Sequence, residues 1–358
     1  MKGFSCNQCG GRLHFENTGC LACGATAGFL PQELVLAALE PAGGGVWRRA
    51  GAAPAAPLWR MCRNYEQHHV CNWMVPADGS DAFCPACAPN RTIPDLTVAR
   101  HRELWAKLEA AKRRLVYTLL RLGLPVVPKT RDPAAGLAFE FLADPDPGLA
   151  TGPRVMTGHL GGVITVNLAE ADDAAREQLR LDLHEGYRTL LGHLRHESGH
   201  FYWERLVRDH PRIDAVRAVF GDEREDYATA LQRHYARPDP DRWLEAFVTP
   251  YAAVHPWEDW AETWAHVLHI LDTLETAAAY GVELRGPAGV RRIEDPFPRQ
   301  FTGVLDDWHA LRLVLNSLNR SMGLKDGYPF VISPTAARKM TLVREWLWDA
   351  PGRRPAPS

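Results

Sequence analysis

His196-Glu197-Ser198-Gly199-His200 decides how this 358-residue chain is read. The motif lies in a run from Tyr187 to Val207 that otherwise reads as one helix, with Leu194 before it and Phe201-Tyr202-Trp203 after it. A spacing of four brings both imidazoles to one helix face, about one turn apart, with Glu197 beside them. Two imidazoles and a carboxylate so arranged suit a catalytic zinc. The histidines are two of three protein ligands, and Glu197 is placed as general base toward a water whose pKa the metal lowers. The competing reading is a solvated helix with two ordinary histidines, and the aromatic run after the motif argues for burial instead.

A third ligand has to come from elsewhere, and the segment His255-Pro256-Trp257-Glu258-Asp259-Trp260-Ala261-Glu262-Thr263-Trp264-Ala265-His266 offers one. Pro256 suits a first helical turn, and Trp257, Trp260, Ala261, Trp264, Ala265 and Leu268 recur at helical spacing to form an apolar face. Glu258 and Glu262, four apart, share a face next to that stripe, where an unpaired carboxylate would be costly. Glu258 is the candidate ligand. Glu262, one turn on, is the candidate acceptor for the other ring N–H of a ligand histidine. Asp259 points about 100° away. Acidic residues in a first turn also suit the helix dipole, which is the alternative account of Glu258 and Asp259.

All eight cysteines fall before residue 88. Cys6-x-x-Cys9 and Cys20-x-x-Cys23 are two knuckles with glycines just after them, a zinc-ribbon spacing. Cys62, Cys71, Cys84 and Cys87 form a second four-thiolate set in which only the last pair is a knuckle, and His68 or His69 could replace one cysteine. Disulfides are the alternative for an even count. The chain opens Met1-Lys2-Gly3-Phe4-Ser5-Cys6 without an apolar signal region, and no run approaches a membrane span, so a cytoplasmic address and reduced thiols are expected.

Residues 1–98 carry seven Lys/Arg and seven Asp/Glu, and the whole chain has a formal charge of −2. A phosphate-binding surface should be basic, which argues against nucleic acid and leaves a protein partner or a structural role for the cysteine region.

The chain divides into residues 1–98, with a ribbon at 1–30 and the second cysteine set at 58–98; a domain over 99–350; and a tail, 351–358. Gly43-Gly44-Gly45 and Gly51-Ala52-Ala53-Pro54-Ala55-Ala56-Pro57 read as a flexible break between the cysteine sets. Leu104 to Leu122 reads as a helix ended by Gly123 and Pro125, with Lys112-Arg113-Arg114 as a solvated face. Phe139 to Leu142 and Val163 to Leu168 read as strands. The second is the candidate cleft strand for pairing with an extended peptide, a buried central strand being the alternative. Further helices are expected over Glu223 to Tyr235, Trp257 to Tyr280, Gly303 to Ser321 and Thr335 to Trp348. His193, His266 and His269 receive no metal role.

Leu190 to Trp203 and the His255 to His269 block resemble the bacterial zinc-binding metallopeptidases that carry an N-terminal zinc-ribbon-like region. The resemblance continues through Asn90 to Leu96, Ala110 to Leu115, Asn167 to Asp172 and Asn316 to Leu324. It implies an α+β fold: a mostly helical, zincin-like catalytic domain of the thermolysin or gluzincin type behind a small double zinc-binding region. Glu-x-x-x-Glu after H-E-x-x-H is similar to the gluzincin arrangement, including the anthrax lethal factor type. There a tyrosine seven residues before the ligand glutamate assists the transition state; that position is Tyr251 here, with His255 as a competing donor. The implied activity is hydrolysis of a peptide or protein substrate, with three zinc ions: one catalytic and two in thiolate sites. The alternative is an adaptor that binds protein or nucleic acid through its zinc modules, its zincin core a recognition scaffold or a single-target protease.

Overall fold

The computed structural model describes residues 2–145, 154–182, 188–236, 242–286 and 289–350. The proposed tail at 351–358 and the start of the motif helix at Tyr187 lie outside them. Packing divides the chain into two compact units, residues 1–176 and residues 177–353.

In the first unit, β1 (Phe4–Ser5) and β2 (Arg12–Leu13) form the first knuckle hairpin. A five-stranded antiparallel sheet follows, in simple meander order: β3 (Thr26–Leu30), β4 (Val35–Gly43), β5 (Val46–Arg49), β6 (Leu58–Met61) and β7 (Met74–Pro76). The expected flexible break is therefore ordered structure. Gly43, Gly44 and Gly45, all at positive φ, make the β4–β5 turn, a conformation open to glycine at little cost. The short helix α1 (Arg63–Glu66) starts at Cys62. Cys6 and Cys20 of the first set and all four cysteines of the second belong to one hydrophobic core, centred on Phe4, Phe15, Phe29, Trp73 and Tyr117, with Phe29 and Trp73 ring centroids 4.5 Å apart.

After β8 (Asn90–Thr92) comes α2 (Ala99–Arg121), the expected leucine-rich helix, closed at Gly123. Its basic run is not a solvated face. Lys112 is fully buried and Arg113 nearly so. Lys112 Nζ donates to Glu109 Oε1 at 2.7 Å and to Asn90, and lies over the rings of Phe139 and Phe141. Arg113 donates to the Val70 carbonyl, and Arg114 pairs with Glu16. A buried charge survives only when so matched.

β9 (Ala138–Leu142), β10 (Gly158–Leu160) and β11 (Val163–Asn167) complete a second sheet, ordered β10-β11-β9-β8. β11 is flanked on both sides: parallel to β9, and antiparallel to β10 through the Gly161-Gly162 turn. Its ladder groups are committed, so the strand proposed to receive a peptide is the central strand of the alternative reading.

α3 (Asp173–Asp182) crosses into the second unit, which is mainly helical: α4 (Leu190–Leu206), α5 (Ile213–Phe220), α6 (Tyr227–Ala236) and α7 (Pro256–Ala279). A hairpin, β12 (Glu283–Gly286) and β13 (Gly289–Arg292), precedes α8 (Phe301–Ser321) and α9 (Pro334–Trp348). Among the described residues, no helix is long and apolar enough to cross a membrane. α6 starts later than its sequence pattern suggests because Asp226 Oδ1 accepts from Thr229 N at 2.8 Å and caps it there.

Candidate metal centre

The two helices that carry the motif residues begin with defined caps. Thr189 Oγ1 accepts from Gly192 N at 3.0 Å to start α4. His255 Nδ1 accepts from Trp257 N at 3.0 Å to start α7, with Pro256 in its first turn. Because His255 Nε2 also lies 3.0 Å from the Glu225 carbonyl, both ring nitrogens are engaged away from the motif histidines. This removes the residue as a competing donor.

α4 and α7 meet along the side of α4 that carries Ser198 and Gly199, the two unspecified positions of the motif. Trp264 Nε1 donates to Ser198 Oγ at 3.0 Å, and Trp260 Nε1 donates to the Gly199 carbonyl at 3.1 Å. Gly199 is required there: a Cβ would stand 2.9 Å from the Cα of Ala261. Trp260 and Trp264 are fully buried, as the apolar stripe implied. Trp257 departs from that stripe and stacks on His200, ring centroids 3.9 Å apart.

That seam brings His196, His200 and Glu258 together. The two Nε2 atoms are 3.1 Å apart, and Glu258 Oε2 lies 3.0 Å from the first and 3.3 Å from the second. Ligands at zinc–ligand distances of about 2.0–2.1 Å in tetrahedral array would be separated by about 3.3 Å. Glu258 Oε2 is buried, and neither imidazole is aligned to donate to it. Three electron-pair donors converging on one point, one of them an orphaned buried carboxylate oxygen, fit a cation.

Glu262 Oε1 accepts from His196 Nδ1 at 2.6 Å, which turns the Nε2 lone pair toward Glu258 and His200. Thr249, which sequence reasoning did not single out, holds Glu262 in turn, its Oγ1 donating to Oε2 at 2.6 Å. Burial opposes a proton on His196, yet the carboxylates of Glu258 and Glu262 raise its pKa well above the usual imidazole value. Burial likewise opposes ionisation of both glutamates, and the histidines outweigh it: Glu258 is held far below the ordinary carboxylate range and Glu262 at about 2. One buried and one partly buried carboxylate around a single imidazole demand positive charge. A proton or a divalent cation satisfies that demand.

Asp259 faces elsewhere, as its helical angle suggested. It is fully buried, its Oδ2 receives Lys339 Nζ at 2.6 Å, and burial pushes its carboxyl up to about 7. Lys339 also donates to the Ala246 carbonyl and sits over the Phe247 ring. Glu197 is half-buried, and among the described residues it forms no hydrogen bond or ion pair. Tyr251 reaches the rim of the site, its ring 5.9 Å from that of His196 and its hydroxyl 3.3 Å from that of Tyr227. Burial and the nearby Glu258 carboxylate push its phenol above the ordinary value, so it stays protonated. Tyr227 has no local sequence signal, because 24 residues separate it from Tyr251. His266 and His269 lie on the far stretch of α7 against Tyr328, His266 Nδ1 being 2.6 Å from the Tyr328 hydroxyl.

The eight cysteines gather as the two expected sets: Cys6, Cys9, Cys20 and Cys23, and Cys62, Cys71, Cys84 and Cys87. Neighbouring sulfurs stand 3.6–3.8 Å apart, against about 2.05 Å for a disulfide and about 3.8 Å across a tetrahedral zinc–thiolate site. Backbone N–H groups of Gly11, Trp73 and Cys84 donate to Cys9, Cys71 and Cys62. Burial pushes the Cys84 thiol well above its usual pKa, so it ionises only against a cation. His68 packs on Trp105 instead of replacing a cysteine, and His69 occupies a positive-φ turn.

A family model described as "Putative zinc-binding metallo-peptidase" matches residues 101–346, and a zinc-ribbon domain model matches residues 3–98. Uncharacterised proteins from Mycobacterium bovis and from two strains of Mycobacterium tuberculosis are each 40% identical to this chain over 361 residues, covering 100% of it and 99% of their own length. No solved structure matches it significantly. With both models matched in tandem and the donor sets assembled, the chain belongs to the zinc-binding metallo-peptidase family and carries an N-terminal zinc-ribbon domain.

Proposed function

We propose that this protein is a zinc-dependent peptidase of gluzincin type, with a zincin-like catalytic domain and a double zinc-binding N-terminal region that serves structure or protein contact. The observation that carries the reading is the convergence of His196 Nε2, His200 Nε2 and Glu258 Oε2 at 3.0–3.3 Å beside an uncommitted carboxylate, Glu197. His196, His200 and Glu258 would hold the catalytic zinc. When bound, such an ion supplies a Lewis acid for the scissile carbonyl and lowers the pKa of water toward neutrality.

The chain's own groups account for the rest. Glu197 accepts the proton of the attacking water and returns it to the leaving amine, a role open to it because no other group among the described residues claims its oxygens. Glu262 fixes the tautomer of His196, and Thr249 fixes Glu262. Tyr251 donates its phenolic proton in a hydrogen bond to the developing oxyanion. The eight cysteines would hold two further zinc ions.

The test compares cleavage products across a proteome from cells expressing the wild type or Glu197→Gln. The amide keeps the shape of the side chain and cannot take a proton. Products present with the wild type and absent with the variant are expected; identical product sets would remove Glu197 from the mechanism.

A further inference from the structure

The two cysteine sets differ in how far solvent reaches their sulfurs. All four cysteines of the second set are buried, Cys62 and Cys84 completely. Cys87 is backed by α2, its Sγ 3.8 Å from an oxygen of Glu109, which is itself fully buried and paired with Lys112. The first set is split. Cys6 and Cys20 are buried, whereas Cys9 and Cys23, the last cysteine of each knuckle, are exposed. The turns that follow them add no cover. Gly10 and Gly24 sit at positive φ, and a Cβ on either would meet no atom within 4 Å beyond its chain neighbours. On the other side, Asn7, Gln8, Leu21 and Ala22 are exposed as well.

Access and mutual reach together make a reactive pair. A cysteine responds to an oxidant when its sulfur is open to solvent and a second thiolate stands near enough to resolve the oxidised form. The four sulfurs of the first set lie within 4.8 Å of one another, so a sulfur oxidised on one knuckle has a thiolate of the other beside it. Cys6 and Cys20 are held in the apolar core with Phe4, Phe15 and Phe29, which leaves the exposed pair to meet the oxidant.

We infer that Cys9 and Cys23 are an oxidant-responsive pair through which a peroxide empties the first thiolate site. One thiolate attacks the O–O bond of the peroxide, becoming a sulfenic acid and expelling hydroxide. The other attacks that sulfur, forming the S–S bond and expelling a second hydroxide. The two sulfurs supply the two electrons that reduce the peroxide, and each hydroxide takes a proton from solvent and leaves as water. Only Cys6 and Cys20 then remain as ligands, short of the four that a structural zinc site requires. Losing the ion opens the core around Phe4, Phe15 and Phe29, because metal binding and folding are linked in a region this small.

The inference rests on the cysteine sets holding zinc, and the experiment separates the two. Freshly reduced, zinc-loaded full-length protein is treated with excess hydrogen peroxide. Zinc release is followed with a chromogenic chelator, and samples alkylated at intervals are mapped by mass spectrometry. The first disulfide should join Cys9 to Cys23 in step with zinc release, while Cys62, Cys71, Cys84 and Cys87 are still thiols; reductant and zinc should restore the starting state. Cys9→His and Cys23→His each keep a Cys3His ligand set, so both should hold zinc at a peroxide concentration that empties the wild type. A first disulfide within the second set, oxidation of both sets at one rate, zinc retained throughout by the wild type, or histidine variants that lose zinc as readily as it does would overturn the pair and leave the zinc sites standing. Cysteines that carry no zinc before peroxide is added, all eight open to alkylation, would overturn the zinc reading, and the pair with it.

Discussion

Replacing Gly199 with alanine adds one methyl group at the closest approach of α4 and α7. That carbon would lie 2.9 Å from Ala261 Cα and 3.2 Å from Cγ and Cδ1 of Trp264. Neither neighbour is free to rotate away: one is backbone, and the other is an indole tied by its N–H to Ser198. Helix propensity alone would favour the change by about 1 kcal/mol. Overpacking costs about 1–3 kcal/mol, and a clash with backbone belongs at the upper end, so a net loss of up to about 2 kcal/mol is expected. The metal centre should suffer as well, because His196 and His200 ride on one helix and Glu258 and Glu262 on the other. A shift of a few tenths of an ångström opens the 3.0 and 3.3 Å spacings around Glu258 Oε2. Zinc affinity, read by competition with a chelator, should fall at least tenfold, and urea unfolding of the metal-free protein should give the stability loss. Gly303→Ala is the control, since its added methyl would meet only the end of the Arg299 side chain, at 3.3 Å. An alanine variant at 199 that gains stability and keeps wild-type zinc affinity would refute the idea that this contact sets the ligand spacing.

Glu258→Ala should release the catalytic zinc under mild chelation, and Glu262→Ala should weaken its binding about 10–100-fold. Asp259→Ala should keep the metal but lose about 3–5 kcal/mol of stability, because the buried Lys339 loses its counter-ion and keeps only the Ala246 carbonyl and the Phe247 ring; loss of metal from this variant with the stability intact would contradict the assignment. Metal analysis of freshly reduced protein should give three zinc ions per chain, and one ion with all eight cysteines open to alkylation in the folded state would dismiss both thiolate sites. Burial lowers the His266 pKa from 6.5 to about 4, so the unfolded chain takes up the proton first on acidification. Stability present above pH 6.5 is then lost as pH falls toward 4, by roughly 3 kcal/mol from this residue. Unfolding of metal-free protein at pH 7 and pH 5 should show a steeper loss for the wild type than for His266→Asn; equal losses would mean the imidazole is not held neutral.

The parts of the site readable from sequence are those whose geometry is local. His196 and His200, like Glu258 and Glu262, are set by the helical repeat, and the caps at Thr189 and His255 fix where those helices start. Nothing local marks Thr249 or Tyr227, because each becomes part of the site only through residues brought near by the fold. The same limit explains Lys112. Its partner Glu109 is three residues away, but burial of the pair depends on Asn90, Phe139 and Phe141, which arrive from other strands. The β3–β7 sheet was hidden for a different reason. All its strands but β4 are short, and glycine and proline stand in or between them, a composition shared by linkers and tight hairpins, so only long-range pairing tells them apart.

The common core of the two cysteine sets determines how the N-terminal region is loaded and lost. Cys6 and Cys20 are buried in the same apolar cluster as Cys62, Cys71, Cys84 and Cys87, with Phe29 and Trp73 packed between the strands that join them. A chain cut after the first knuckle pair would leave that cluster open to water and could not behave as a self-sufficient finger. Occupancy of one thiolate set therefore shifts the folding equilibrium of the other, and the pair should respond to zinc scarcity or thiol oxidation as an all-or-none element with a threshold, not as two independent titrations.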